Sequence, residues 1–214
     1  MSELVIHGRV RRGELDLLVD MAIGDGITAL IGANGAGKTS LLRVIAGLDA
    51  LDEGRVLLDG MVLDEPSTET FVPAEERPVA LAFQEPRLFP HLTVLDNIAY
   101  PLRRRGRAAT AARAEAEPVA ESLGLASLLD LRPGELSGGQ AQRVNVGRAL
   151  AAESPTLLLD EPLASIDDGS REDLRRRLGT TGSRRVVWVT HDPTDLSHAD
   201  RVISLDDVVQ TAPR

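Results

Sequence analysis

The segment "GANGAGKTS" at residues 32–40 has the residue types and spacing of a phosphate-binding loop. From Gly32 to Thr39 it fits the pattern G-x-x-x-x-G-K-[ST], whose glycines let backbone N–H groups turn toward a β-phosphate. Lys38 would place its charge on the β- and γ-phosphate oxygens, and the Thr39 hydroxyl would bind Mg²⁺. The alternative is a glycine-rich turn that binds nothing. We expect a nucleoside triphosphate to be bound by Gly32, Ala33, Asn34, Gly35, Ala36, Gly37, Lys38, Thr39 and Ser40.

Acidic and histidine side chains follow two apolar segments farther along the chain. The segment "TLLLDEP" at 156–162 predicts a buried strand that ends in Asp160 and Glu161, at the edge where α/β sheets bind ligands. Asp160 could hold Mg²⁺, usually through water, and Glu161 could orient or deprotonate an attacking water. His191 follows "RVVWVT" and could hydrogen-bond the γ-phosphate or that water. The alternatives are a solvated strand end and a capping or surface histidine.

A second glycine-rich segment, "ELSGGQAQR" at 135–143, resembles the first turn of a helix that binds an anion. Ser137 is a good helix N-cap, and Gly138 and Gly139 keep Cβ atoms away from a phosphate. The segment has no lysine, so it would complete a nucleotide site rather than form one. If two copies face each other head to tail, each serine closes the partner's site. This predicts an ATP-dependent dimer in which Ser137, Gly138, Gly139 and Gln140 bind ATP in trans.

The elements that must position these groups alternate between strands and helices, which predicts an α/β fold with a largely parallel sheet. Strand-like alternation runs through residues 3–31, and an antiparallel hairpin is predicted over 54–64 with its turn at Asp59-Gly60. Further strands are predicted at 27–31, 78–83, 156–160, 184–190 and 201–206, and helices at 40–48, 93–102, 110–125 and 137–153. Pro118 should break the third of these helices or open its second half. We therefore expect one domain, with residues 1–84 and 155–214 as the nucleotide-binding core and 85–154 as an inserted helical subdomain.

Composition narrows the function further. The 214 residues carry a formal net charge of −9, which argues against a nucleic-acid partner. There is no cysteine, so disulfides and thiolate metal sites are excluded. The N-terminal residues have no secretory apolar core, and no apolar run has the roughly 18 residues of a membrane span. These features predict a cytoplasmic location.

Taken together, the motifs resemble those of ABC-type ATPases in identity and order. The resemblance rests on the phosphate loop, Gln84 after an apolar strand, "LSGGQ" at 136–140, "LLLDEP" at 157–162, "LASID" at 163–167 and His191. It implies a P-loop NTPase fold and a nucleotide-sandwich dimer with a second copy or a homologous ATPase subunit. It implies that Gln84 links Mg²⁺ and the γ-phosphate to a partner, and that Asp167 contacts the other protomer.

Three stretches, at 26–48, 71–98 and 135–150, resemble the ATP subunits of molybdate importers more specifically. This implies integral membrane permease partners at the inner face of the membrane and, indirectly, a substrate-binding protein. Importers of sulfate, iron or polyamines, soluble ABC ATPases of DNA repair or translation, and a kinase with an accidental "LSGGQ" are the alternatives. The family usually stacks adenine on an aromatic residue; that position falls near Leu15, and residues 1–40 contain no aromatic residue. Since the sequence stops at Arg214, a C-terminal regulatory domain is not expected.

Residues 85–92, "EPRLFPHL", are the predicted docking site for the membrane partner. An exposed apolar patch of Leu88, Phe89 and Pro90 would suit a partner helix. The alternative is that this segment packs against the helix predicted over 93–102. The arginine-rich stretch at 103–107 is interpreted as a solvated helix end.

Overall fold

The computed structural model describes residues 2–164, 166, 168–179 and 184–208, and these residues form two compact units. The first unit contains residues 2–79 and 184–208, and the second contains residues 80–179. The phosphate loop and His191 belong to the first unit. Gln84, the 156–162 segment and the 137–140 segment belong to the second.

An antiparallel sheet makes up the N-terminal part of the first unit. Its strands pair in the order β2-β1-β4-β5-β6, with bounds β1 Leu4–Arg12, β2 Leu15–Ile23, β4 Glu53–Leu58, β5 Met61–Glu65 and β6 Thr70–Phe71. In β1 the side chains of Leu4, Ile6 and Val10 point to one face of the sheet and are fully buried, as a sheet with one core face requires. The predicted hairpin over 54–64 is confirmed, with Asp59 and Gly60 at positive φ in its turn.

A parallel set of strands in the same unit carries the phosphate loop. Strand β3, Gly26–Ile31, lies between β9, Arg185–Val189, and β10, Arg201–Ser204, and pairs in parallel with both. Three helices accompany these strands: α1 Lys38–Ile45, α6 Pro193–Leu196 and α7 Leu205–Val208. The predicted α/β class with a mainly parallel sheet is confirmed. The strand predicted over 201–206 is too long, because Leu205 and Asp206 already begin α7.

The second unit contains two neighbouring strands and the helical part of the chain. The strands are β7, Val79–Ala82, whose first residue belongs to the first unit, and β8, Thr156–Asp160. The helices are α2 Val94–Arg104, α3 Ala109–Ser122, α4 Gly138–Ala151 and α5 Asp168–Gly179. Helices α2, α3 and α4 pack against one another, and Gly147 of α4 lets Ile98 and Leu123 approach its backbone. Helix α2 begins where the sequence predicts, because the Thr93 hydroxyl accepts the N–H of Asp96 at 3.2 Å.

The prediction that Pro118 breaks the third helix is wrong, since α3 continues through it. Pro118 lies on the exposed side, where water can bind the carbonyl that has lost its N–H partner. The opposite side of α3 buries Ala112, Ala116 and Ala120 completely, at a spacing of four residues. Burial of this alanine stripe holds the helix together across the proline.

Among the residues that the structure describes, no helix is both long and apolar enough to cross a bilayer.

Candidate functional site

The phosphate loop connects β3 to α1 and has the backbone conformation that its glycines permit. Gly35 and Gly37 have φ of 82° and 95°, values that other L-residues rarely adopt. A Cβ on Gly37 would also lie 3.1 Å from the Leu17 side chain. Gly37 is the N-cap of α1, and no side chain caps this helix end. The first N–H groups of α1 therefore face the inside of the loop, where a helix N-terminus attracts an anion.

The Lys38 side chain folds back over the phosphate loop. Its Nζ donates to the carbonyl oxygens of Gly32 at 2.8 Å and Ala33 at 2.9 Å. These bonds fold the side chain back over the start of the loop and hold its positive charge beside the loop backbone. The structure thus brings together Gly32, Ala33 and Lys38, and places Thr39 and Ser40 in the first turn of α1.

An open cleft of about 510 Å³ lies beside the tip of the phosphate loop. Leu15 and Leu17 form its apolar wall, Gly35 and Ala36 form its loop side, and the carboxylates of Glu14, Asp16 and Asp206 line the rest. The Leu15 side chain would be 3.3 Å from a Cβ on Gly37, so it is adjacent to the loop. The position expected to contact adenine is therefore next to the phosphate loop, with an aliphatic side chain.

His191 lies on an exposed turn between β9 and α6. Thr190 and Asp195 brace this turn through a hydrogen bond of 2.5 Å, and Asp192 caps α6 by accepting the Thr194 N–H at 2.8 Å. The backbone around His191 is thus fixed by short polar side chains. The histidine is exposed and lies at the carboxyl end of β9, a position that both the catalytic role and the surface alternative allow.

The carboxylates that follow β8 differ in their surroundings. All five residues of β8 are buried, including Asp160, which is 4% exposed. Glu161 is partly exposed and has a φ of 44°, a conformation that costs a non-glycine residue about 1–3 kcal/mol. Gln84 Nε2 donates to Glu161 Oε2 at 3.4 Å, so these two predicted catalytic residues are neighbours in the second unit. Unusual backbone conformations of this kind cluster at functional sites, which makes Glu161 a candidate for one.

The 137–140 segment forms a complete capping box at the start of α4. The Ser137 hydroxyl accepts the Gln140 N–H at 3.3 Å, and the Gln140 side chain accepts the Ser137 N–H at 2.8 Å. Among the described residues, the N–H groups of Gly138 and Gly139 have no acceptor, and Ser137 and Gly138 are exposed. A Cβ on Gly138 would have nothing within 4 Å. Two N–H donors and a serine hydroxyl therefore point outward from this helix end.

Segment 85–92 is held against α2 more closely than an exposed apolar patch would be. The Phe89 ring packs 4.4 Å from that of Tyr100, and the fully buried Asn97 side chain bonds the backbone at Phe89, Leu92 and Thr93. Leu88 and Phe89 are half-buried. Phe89 therefore makes the contacts that the packing alternative predicts, whereas Pro90 is exposed. Sequence analysis missed Asn97, although a polar residue within the apolar stripe of α2 marks a buried hydrogen-bonding side chain.

The surface next to this segment is cationic. A cleft of about 450 Å³ is lined by His91, Leu92, Tyr100, Arg103, Arg104, Arg107 and Ala109. Arg103 and Arg104 have no carboxylate within 4 Å among the described residues. The arginine-rich end of α2 thus borders a concave surface. Asp167, the predicted dimer contact, lies outside the described residues.

The sequence of this chain matches a family model and several known proteins. A family model described as "ABC transporter" matches residues 19–164. The chain is 42% identical to the molybdenum import ATP-binding protein ModC of Rhizobium meliloti, over 95% of this chain and 57% of that protein. It is 45% identical to the sulfate/thiosulfate import ATP-binding protein CysA of Methylococcus capsulatus, over 88% of this chain and 55% of that protein. The chain thus spans little more than half the length of these relatives.

A solved structure is similar over nearly its whole length. It is the ATP-binding cassette MJ0796, described as a dimer in a post-hydrolysis state bound to ADP and Pi. The TM-score is 0.80 and the identity 28%, over 95% of this chain and 94% of that one.

Proposed function

Since the chain belongs to the ABC transporter family of ATP-binding proteins, we propose that it hydrolyses ATP to drive import of molybdate or a related oxyanion. The relatives named for molybdenum import support this cargo. The sulfate/thiosulfate relative supports sulfate as the alternative. Both cargoes are tetrahedral oxyanions.

In the proposed reaction a water oxygen attacks the γ-phosphorus, the bond to the β–γ bridging oxygen breaks, and ADP and phosphate leave. Glu161 accepts the proton of the attacking water, and its neighbour Gln84 orients that carboxylate or the water. Lys38 balances the negative charge that develops on the phosphate oxygens. His191 hydrogen-bonds the γ-phosphate or the water. The strained backbone at Glu161 supports a role in catalysis rather than in folding.

The donor set suits Mg²⁺, which prefers oxygen ligands and keeps several waters. Thr39 would offer its hydroxyl, Gln84 its amide oxygen, and Asp160 its carboxylate through water. When bound, Mg²⁺ would neutralise charge on the β- and γ-phosphates. Within the described residues, no group of three or more His, Cys, Asp or Glu side chains could hold a metal ion by itself.

The exposed N-terminus of α4 is the observation on which the proposed dimer depends. Gly138 has free space around it, since an added Cβ would have nothing within 4 Å, and its φ is not positive. The packing of its own chain therefore does not require glycine at this position. A phosphate bound by a second protomer would require it, because the two free N–H donors could then approach closely. Each ATP would be bound by the phosphate loop of one protomer and by Ser137, Gly138, Gly139 and Gln140 of the other.

Mixing two inactive variants tests this arrangement. Lys38→Ala removes the lysine of the phosphate loop, and Ser137→Arg blocks the end of α4. Each variant alone should be inactive. If sites are shared, a random 1:1 mixture places one intact site in half of the dimers and restores up to about a quarter of wild-type turnover.

The outcome of the mixture is decisive. No recovery, together with measured heterodimer formation, would contradict shared sites. Ser137→Arg should still bind ATP as a monomer with wild-type affinity, and Lys38→Ala should not. As a further check, Glu161→Gln should bind MgATP, turn it over very slowly and accumulate as a dimer on size exclusion.

The proposed membrane partner docks on the second unit beside the Gln84 segment. The Arg103–Arg104 surface and its cleft support a partner segment with acidic side chains, rather than the apolar helix that the sequence suggested. Reconstitution with a permease and a binding protein would test both partner and cargo. ATP turnover should rise with molybdate or sulfate and not with iron or a polyamine.

A further inference from the structure

One face of α4 carries three polar side chains that bind the backbone around Gln84. Gln142, Asn145 and Arg148 recur every three residues along the helix. Asn145 Nδ2 donates to the Phe83 carbonyl at 2.8 Å, and Gln142 Nε2 donates to the same oxygen at 3.4 Å. Arg148 Nη1 donates to the Arg87 carbonyl at 2.7 Å. The backbone is thus held one residue before Gln84 and three residues after it.

These three side chains also bind one another. Asn145 Nδ2 donates to Gln142 Oε1 at 3.3 Å, and Arg148 Nη2 donates to Asn145 Oδ1 at 3.3 Å. Gln142 and Asn145 are almost completely inaccessible to solvent, and burial lowers the pKa of Arg148. The network is rigid at Gln142 and Asn145, because a bond lost at either buried side chain would leave a polar group without water.

One ring contact adds to the bonds between α4 and this segment, and a second lies within the segment itself. The Arg148 guanidinium lies 5.5 Å from the centre of the Phe89 ring, and Arg87 lies 5.0 Å from that of Phe83. Residues 83–89 therefore contact α4 at Gln142, Asn145 and Arg148. Asn145 is eight residues from Ser137, about 12 Å along the same helix.

We propose that Gln142, Asn145 and Arg148 are positioning residues that fix Gln84 against Glu161 for hydrolysis. This rests on the proposed function. The three side chains do not touch the reacting atoms; they hold the two carbonyls that flank Gln84, and Gln84 contacts the carboxylate that accepts the proton. Ser137 is the N-cap of the same helix. Helix α4 would therefore connect a nucleotide bound at Ser137 to the backbone around Gln84.

A double-mutant cycle tests the proposal. Asn145→Ala should lower kcat roughly tenfold, because small misplacements of catalytic groups cost this much or more, and ATP affinity should stay within about twofold. Gln84→Ala should lower kcat at least as much. The double variant should be no slower than Gln84→Ala alone, because Asn145 acts through Gln84. Arg148→Lys keeps the positive charge but loses the two-pronged guanidinium that binds both Arg87 and Asn145. It should lower kcat less than Asn145→Ala does, and combining it with Gln84→Ala should again cause no further loss.

Arg143→Ala is the matched control, because Arg143 lies on the same helix but donates to Leu123 O, away from Gln84. Arg143→Ala should lower kcat only slightly. In the double variant with Gln84→Ala, the fold-reductions in kcat of the two single variants should multiply. If the effects of Asn145→Ala and Gln84→Ala multiply, the proposal is overturned while the ATPase function stands. If Gln84→Ala leaves kcat unchanged, Gln84 needs no positioning and the proposal also fails. A wild-type chain without ATP turnover would overturn both.

Discussion

Replacing Gly138 with alanine separates folding from function at the N-terminus of α4. In the protomer a Cβ at this position has nothing within 4 Å, and φ is not positive. No clash or backbone strain follows from the substitution. Because alanine restricts the unfolded chain and favours helix, the free energy of unfolding should stay the same or rise by up to about 0.5 kcal/mol.

The rate of ATP turnover, in contrast, should fall in Gly138→Ala. If the Gly138 and Gly139 N–H groups bind the partner's phosphate, an added methyl group prevents the close approach of at least one donor. Hydrogen bonds to charged groups contribute about 1.5–3 kcal/mol, so turnover should fall roughly 10- to 100-fold. ATP binding to the monomer should not change, since its phosphate loop is intact.

Gly134→Ala is the matched control. Gly134 is in the same unit, its Cβ would also meet nothing within 4 Å, and it lies outside α4 in a short 3₁₀ turn at Pro133–Glu135. Thermal unfolding and ATP turnover, at protein concentrations above and below the dimer midpoint, should be measured for both variants. Turnover that stays at the wild-type level in Gly138→Ala, or falls equally in both variants, would refute the reasoning.

Three further predictions concern other parts of the chain. Leu15→Tyr should tighten ATP binding about threefold to tenfold by stacking on the base, measured by calorimetry on the monomer; unchanged affinity would place the base elsewhere. Arg113 holds the pKa of Asp96 below its usual value, so this pair stabilises the fold above a pH of about 4 and loses its effect as pH falls through the lowered pKa. Arg113→Ala should therefore cost up to about 1 kcal/mol at pH 7 and progressively less in acid, and a cost independent of pH would contradict the charge pairing. Arg103→Glu with Arg104→Glu should weaken co-purification with the permease at low salt without changing basal ATP turnover, and equal recovery at low salt would exclude the cationic surface as the docking site.

The pattern of neighbouring residues was sufficient to predict most helices and strands and the residue types of the candidate site. The hairpin turn at Asp59-Gly60, the Thr93 cap and the Ser137 cap depend on residues within four positions of each other, so the sequence predicts them directly. Pro118 was misjudged because its cost depends on what lies around it. It faces solvent, while the alanines on the opposite side of α3 are packed.

By itself, the sequence determined that a glycine-rich loop, two acids after a buried strand and a second glycine-rich helix start occur in this order. Those features depend on residue type and spacing alone. Only the tertiary structure decided that Gln84 lies beside Glu161, 77 residues away, and that Asn145 holds the Phe83 carbonyl 62 residues away. It also decided that the Leu15 side chain lies beside Gly37 and that Phe89, five residues after Gln84, packs against Tyr100. Such contacts join residues far apart in the chain, and the packing of whole helices and strands sets them, so no local pattern can encode them.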